Sequence, residues 1–356
     1  MENRKAPVPK LILVSGFLGA GKTTLIVRAA ELLLQQGLRV AVITNDQDDG
    51  LVDTRFTQAN SIPTGEVAGG CFCCRFSDLI DAAEQLAQHS PDVIFAEPVG
   101  SCVDLSATIL QPLKSGYRDE YTPAPLTVLV DPELATAVFA GQADEDISYL
   151  FHKQLAEADI LCLTKADRYS DCPELPVPLD FKLSAVTGQG VAEWLDEVLH
   201  GSRVVGARLL DVDYTRYAEA EAALGWVNVQ ADVALRRALS PAELLGPLID
   251  EIEANLSQAG IIIAHLKAFD RCASGFLKVS VCRNGDEPRP EGDLMASSDR
   301  RHELAINLRA VGDPVELHSI VHRALQGIEG EITVLHTGAF RPAPPKPQHR
   351  FAEVAL

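Results

Sequence analysis

Apolar residues in the first 200 positions follow two alternating patterns, short unbroken runs of Val, Ile and Leu and longer stretches that repeat at three and four. The run Leu11 to Ser15 has strand character, and Arg39 to Thr44 reads as a buried parallel strand because its Val and Ile residues do not alternate with polar ones. Between them, Thr23 to Gln36 places Leu25, Ile26, Ala29, Leu32 and Leu33 on one helical face and stops at Gly37. Asp78 to Gln88 repeats as an amphipathic helix, and Pro91 to Glu97, Pro125 to Asp131 and Ile160 to Thr164 read as further strands. Strands that alternate with helices predict an α/β class with a mostly parallel sheet.

The pattern changes after residue 200. Gly201 to Leu224 carries no strong period and reads as a connection. Strands are then predicted at Gly225 to Ala234, Ile261 to Phe269, Gly275 to Cys282, Glu303 to Arg309 and Glu331 to Thr337, with helices at Pro241 to Ala259 and Pro314 to Leu325. Helices interleaved with strands that return as hairpins predict a smaller α+β, ferredoxin-like second domain. The expected division is a tail over 1–10, a first domain over 11–202, a linker over 203–224, a second domain over 225–340 and a proline-rich tail over 341–356. That last tail is expected to be extended or disordered.

Composition narrows the function. Of the 356 residues, 47% are hydrophobic and 23% charged, as in a soluble globular protein. A formal charge of −19 without clustered Lys and Arg argues against a nucleic-acid surface. No apolar run is long enough to span a bilayer, and the charged start MENRKAPVPK is not a signal peptide. The expected compartment is the cytoplasm, with no membrane or nucleic-acid partner. There the eight cysteines are thiols or metal ligands before they are disulfides.

The candidate chemistry begins at LILVSGFLGAGKTT. Gly16, Gly21, Lys22 and Thr23 satisfy G-x-x-x-x-G-K-[ST], with a strand before and a helix after, which reads as a phosphate-binding P-loop. Gly16, Gly19 and Gly21 let the backbone curl, so that Gly19, Ala20, Gly21 and Thr24 can turn amides toward phosphate oxygens. Lys22 is expected on the β and γ phosphates and Thr23 on Mg²⁺, with the helix N-terminus adding positive potential. Beyond the second strand, Asp46 and Asp48 are the acids placed to meet Mg²⁺ or orient the attacking water, within a run that continues to Asp49; a solvated acidic loop is the alternative. The strand ending in Glu97, with Gly100 three residues later, has the form of a second nucleotide-binding strand. Glu97 would act on Mg²⁺ or the nucleophile, and Gly100 would approach the γ phosphate.

Cys71, Cys73 and Cys74 put three thiols into four residues, flanked by glycines. Thiolates suit a thiophilic ion such as Zn²⁺ or Cu⁺. A fourth position is left for Glu66, Asp46, a distant His, water or a partner's ligand, and an incomplete shell suits transfer. A structural zinc site and a redox pair remain open. His318 and His322, four apart on one helical face, have a ligand spacing that chance also produces, and His265 and His336 are further candidates. Cys102, Cys162, Cys172, Cys272 and Cys282 read as core or incidental thiols.

Thr164-Lys165-Ala166-Asp167 follows a strand. A carboxylate there accepts guanine N1–H and N2–H, so Asp167 would select guanine while the Lys165 stem packs on the base. Ser184-Ala185, in a loop that ends Gly188-Gln189-Gly190, resembles the loop that closes over the base in GTPases.

In this order, these motifs resemble the CobW-type GTPases, relatives of the urease and hydrogenase nickel-insertion GTPases. The resemblance rests on GFLGAGKTT, on GGCFCC against a Cys-x-Cys-Cys signature, on Glu97-Pro98-Val99-Gly100 against Glu-x-x-Gly, and on TKAD against Asn-Lys-x-Asp, and Gln154, Ala158 and Asp159 fit its spacing. It covers roughly residues 10 to 200; the second half is similar only in its order of elements. It implies a GTPase that uses GTP, Mg²⁺ and zinc or another thiophilic metal, with the cysteines as metal site and GTP hydrolysis coupled to metal delivery or cofactor assembly. A client metalloprotein or cofactor-assembly protein and a nucleotide-dependent homodimer are implied as partners. The chain departs from the family at Asn45-Asp46-Gln47-Asp48, where Asn-Glu-Phe-Gly is usual, at Thr164 in place of Asn, and in having no His-rich tract. Two alternatives are a P-loop small-molecule kinase with a structural zinc site and a metal-responsive nucleotide-binding protein with negligible turnover.

Overall fold

The structure, a computed structural model, describes residues 8–48 and 52–355. Residues 1–7 of the expected N-terminal tail and Asp49 of the acidic loop lie outside the described residues. The chain forms two compact units that do not follow chain order. The first takes residues 8–47, Asn60–Ala220 and 345–355, and the second takes Asp48–Ala59 and Glu221–Pro344.

The first unit is built on a parallel sheet. Its strands are β1 (Lys10–Gly16), β2 (Val40–Asn45), β3 (Thr64–Val67), β4 (Val93–Glu97), β5 (Thr122–Pro123), β6 (Thr127–Val130), β7 (Ile160–Leu163) and β8 (Phe181–Lys182). They lie in the order β3-β2-β4-β1-β6-β7-β8, with β5 also beside β1. All six residues of β2 and the last six of β1 are buried, as unbroken apolar strands are when helices cover both faces of a parallel sheet. The first of those helices, α1 (Lys22–Gln35), packs Leu25, Ile26, Ala29, Ala30 and Leu33 inward. This strand order sets the carboxyl ends of β1, β4 and β2 side by side, the place where open α/β sheets bind ligands.

The second unit opens, in chain order, with a helix the apolar pattern did not reveal, α2 (Val52–Ala59). After it come β9 (Leu224–Leu239), the helix Pro241–Gln258, β10 (Ile262–Cys272), β11 (Gly275–Val281), β12 (Arg289–Gly292), β13 (Asp299–Val311), the helix Pro314–Gln326 and β14 (Gly330–Phe340). Their antiparallel order is β12-β11-β10-β13-β9-β14. Without the β11-β12 ribbon this is the four-strand order of the expected ferredoxin-like α+β fold, and β12 is an addition the sequence did not reveal. Strand alternation divides the sheet between two packing partners. Val227, Val229 and Val233 of β9 and Leu304, Ile306 and Leu308 of β13 enter the core shared with the two long helices. The intervening residues serve α2. Asn307 Oδ1 accepts the Val52 amide at 2.9 Å, Gln230 Oε1 accepts from Arg55 at 2.9 Å, and Lys267 pairs with Asp53 at 2.5 Å.

The expected linker is also structured. Tyr214–Ala222 is a helix, with Tyr217 fully buried and the Tyr214 hydroxyl donating to Asp104 at 2.7 Å. Among the described residues, no helix is long and apolar enough to cross a membrane.

Candidate functional site

The loop from Gly16 to Lys22 has the backbone expected of a phosphate cradle. Gly16, Gly19 and Gly21 take φ values of +138°, +77° and +90°. At Gly16 the requirement is also steric, because a Cβ there would lie 2.6 Å from the Leu129 carbonyl oxygen of the neighbouring strand. Helix α1 begins without a side-chain cap and with no acid in its first turn, so its amides and dipole are available to an anion. The buried Lys22 ammonium reaches back to the carbonyls of Gly16 and Phe17 at 2.9 and 3.4 Å. Thr23 Oγ1 donates to Glu97 Oε1 at 2.9 Å. A buried hydroxyl and carboxylate in contact, next to a lysine, are a donor set that fits a phosphate-bound Mg²⁺. Gly100 packs on the same loop, where a Cβ would stand 3.0 Å from the Leu18 amide nitrogen.

The two expected base-recognition segments meet through their backbones. Ala166 N–H donates to Leu183 O at 3.0 Å, and Ser184 Oγ closes its own turn by accepting from Thr187 N at 3.1 Å. Thr164 is buried, its hydroxyl donating to Val130 O at 3.2 Å, while Asp167 is exposed in a short turn. Lys165 pairs with Asp131, whose carboxylate also caps the helix Pro132–Phe139.

The cysteine loop follows β3 and folds back over the end of β2. Asn45 anchors it, a role that the sequence reading did not assign. Its Nδ2 donates to Val67 O at 2.9 Å and to Gly70 O at 2.8 Å, while its Oδ1 accepts from Phe72 N at 2.8 Å. The sulfur separations are 3.0 Å for Cys71 and Cys73, 3.4 Å for Cys71 and Cys74, and 3.8 Å for Cys73 and Cys74. Tetrahedral Zn²⁺ with bonds of about 2.3 Å needs sulfurs about 3.8 Å apart, so the three thiols fit such an ion after sub-ångström opening. They share their charge unevenly. Hydrogen bonds with Cys102, Cys73 and Cys74 hold Cys71 well below the usual thiol range. Its bond to Cys71 raises Cys73, and Cys74 is pushed up to about 11 for the same reason.

Several expected site residues stand elsewhere. Asp48 belongs to the second unit, where its carboxylate meets His336 Nε2 at 2.9 Å and accepts from Asn228 Nδ2 at 3.2 Å. Asp46 is buried beside the cysteine loop, its carbonyl accepting from Gly70 N at 3.4 Å and its carboxylate from Gln47 N at 2.6 Å. Glu66 is exposed, and among the described residues the group of converging ligand atoms is Cys71, Cys73 and Cys74, without Glu66 or any His. His318 and His322 stack on each other in the second unit, with His318 bonded to Thr337 Oγ1 and His322 to Gln326.

The proline-rich tail, expected to be extended or disordered, is held in the first unit over residues 345–355. Lys346 N–H donates to Cys74 Sγ at 3.0 Å, Gln348 N–H to Cys73 O at 2.9 Å and Phe351 N–H to Ala107 O at 3.1 Å. Gln348 Oε1 accepts the Ser77 amide at 2.8 Å, His349 stands edge-on to Phe76, and the Arg350 guanidinium reaches the buried Asp104 carboxylate at 2.7 Å. The segment 345–355 is therefore a strap across the cysteine loop.

A parallel sheet with a glycine-rich loop, lysine and threonine at the edge of its first strand defines a P-loop nucleotide-binding protein. More particularly, the chain carries over residues 10–177 a domain that matches the family described as CobW/HypB/UreG, nucleotide-binding domain. Among curated relatives, the zinc chaperone CobW of Pseudomonas aeruginosa is 30% identical over 185 residues, 44% of this chain and 48% of that protein. The zinc chaperone YjiA of Escherichia coli is 31% identical over 177 residues, 46% of this chain and 51% of that protein. The chain thus spans about half the length of the curated relatives it matches. Similar solved structures include Helicobacter pylori HypB in complex with nickel, at 15% identity and a TM-score of 0.41 over 55% of this chain and 90% of that one. The Zn(II)-bound YjiA GTPase from E. coli is similar at 14% identity and a TM-score of 0.32 over 90% and 99%.

Proposed function

We propose that this protein hydrolyses GTP and binds a thiophilic metal ion, zinc foremost, for delivery to a client metalloprotein or to the assembly of a cofactor. The observation that carries the reading is the convergence of the Cys71, Cys73 and Cys74 sulfurs within 3.8 Å, in the same unit as the phosphate loop. The CobW/HypB/UreG domain and the zinc-chaperone names of its relatives support it. The site belongs in the cytoplasm, where thiols stay reduced.

The reaction is phosphoryl transfer to water. Lys22 and the α1 amides offset charge on the phosphates. Thr23 and Glu97 are the residues that would hold Mg²⁺, which supplies further charge neutralisation when bound. Glu97, with Asp46 as the second acid, positions the water. Asp167 accepts from the guanine edge, Lys165 and Ala185 flank the base, and Thr164 and Ser184 hold their loops. The metal is the cargo, and nucleotide state changes its affinity through the segment from Glu97 to Gly100.

The test is GTP hydrolysis by metal-free protein with and without stoichiometric Zn²⁺, Co²⁺ or Ni²⁺, with ATP as control. We expect GTP to be hydrolysed in preference to ATP, at a rate that one metal changes. Lys22→Ala abolishes turnover, and Cys73→Ser abolishes the metal effect. Equal turnover with every metal, or a preference for ATP, overturns the reading.

A further inference from the structure

Cys102 stands apart from the other thiols outside the cysteine loop. Cys162 lies within β7, and Cys272 and Cys282 belong to the second unit. Cys102 is fully buried and its thiol is hydrogen bonded to Cys71. It follows Gly100 by two residues, beyond the carboxyl end of β4, and β4 is paired with the β2 strand whose Asn45 anchors the cysteine loop. Its backbone is fixed at both ends. Cys102 N–H donates to Val99 O at 3.0 Å, and the Gln154 side-chain amide bridges Gly100 O and Cys102 O at 2.9 and 3.0 Å.

We propose that Cys102 is the fourth sulfur ligand, completing a four-cysteine shell around the thiophilic ion and joining that shell to the Glu97 to Gly100 segment. The inference rests on the reading of Cys71, Cys73 and Cys74 as the metal site. A soft divalent ion held by four thiolates is a common closed zinc arrangement. In the structure the ligand atoms that lie within 4.8 Å of one another are those of Cys71, Cys73 and Cys74. Cys102 touches this group through Cys71, so loading draws its sulfur inward. As each S–metal bond forms, any proton the sulfur still carries leaves to solvent, and no electrons are transferred. Because Gly100 lies against Leu18, a pull on Cys102 is felt two residues away at the phosphate loop. Metal occupancy and nucleotide state then act on one short, tightly pinned segment.

The experiment is an anaerobic Co²⁺ titration of the reduced, metal-free full chain, reading sulfur-to-cobalt charge-transfer absorption, for wild type, Cys102→Ser, Cys102→Ala and Cys71→Ser. Zinc-edge X-ray absorption of the loaded wild type counts sulfurs without any variant. We expect four sulfurs at about 2.3 Å in the wild type and a loss of about a quarter of the charge-transfer intensity per cobalt in both Cys102 variants. Their zinc affinity should fall by at least the ~10–100-fold that removal of an outer-shell partner costs. Three sulfurs with a lighter fourth ligand, or unchanged charge-transfer intensity in the Cys102 variants, overturns the inference while leaving the three-cysteine site standing. No stoichiometric uptake by the wild type, or wild-type uptake by Cys71→Ser, overturns the metal site itself and this inference with it.

Discussion

The Asn45 carboxamide satisfies two carbonyls and one amide of the cysteine loop, so a single side chain at a strand end fixes the path of the thiols. Replacing it with Ala leaves those three buried backbone groups to find other partners, each worth about 1 kcal/mol. We expect Asn45→Ala to weaken zinc by ~10–100-fold in a chelator competition while all four thiols remain titratable, and unchanged affinity would show that the loop holds itself. In the sequence Asn45 is only the first residue of the loop after the second strand, overshadowed by the acids that follow it. An amide acting as a clamp leaves no mark of charge or spacing. Cys102 was legible only as a thiol in an apolar stretch, because its approach to Cys71 is produced by the pairing of β2 with β4. Lys22, Thr23 and the three clustered cysteines were legible because their chemistry needs fixed local spacing, which one stretch of chain supplies.

Strands β10 and β13 carry a buried pair of their own, His302 Nδ1 to Asp270 Oδ2 at 2.7 Å, with both side chains fully enclosed. Burial lowers the His302 pKa, but the Asp270 carboxylate more than offsets this and leaves it raised above 6.5, while burial raises Asp270. A His whose folded pKa is raised contributes stability that is fully present below its unfolded value of about 6.5 and is lost as pH climbs through the folded value. The second unit is therefore expected to lose thermal stability as pH rises above about 6.5. His302→Gln should remove that slope and cost about 3–5 kcal/mol, since it leaves a buried carboxylate without its charged partner. A flat profile in the wild type would remove the charged histidine. At this scale the long apolar periods are legible in the sequence, including both long helices and all the main strands of the second unit. Among the elements not recognised are β3, β12, the helices Pro132–Phe139, Glu145–Glu157 and Val191–His200, the helix Tyr214–Ala222, and α2, whose eight residues hold only Val52, Phe56 and Ala59 as apolar positions. Val52 and Phe56 of α2 become buried against a sheet that begins 165 residues later in the chain, a distance over which a local period carries no signal.

The chain leaves the first unit after Gln47, returns at Asn60, leaves again after Ala220 and returns at Pro345, so neither unit is a contiguous stretch. Cutting the chain anywhere before residue 345 thus removes part of the nucleotide-binding unit as well. A chain ended after Pro344 is expected to expose Cys74 to alkylation several-fold faster in the metal-free state and to surrender zinc to a chelator faster. Arg350→Ala, which takes away only the anchor on Asp104, should lie between the two. Identical alkylation and release in all three would mean that the strap rests on the loop without governing it. The strap also has a consequence in terms of molecular competition. A segment tethered to the surface it covers acts at an effective concentration on the order of millimolar, whatever the amount of protein present. Any extended segment of a client that takes its place must therefore exceed that threshold, and a free peptide spanning 345–355 should displace it only at comparable concentrations.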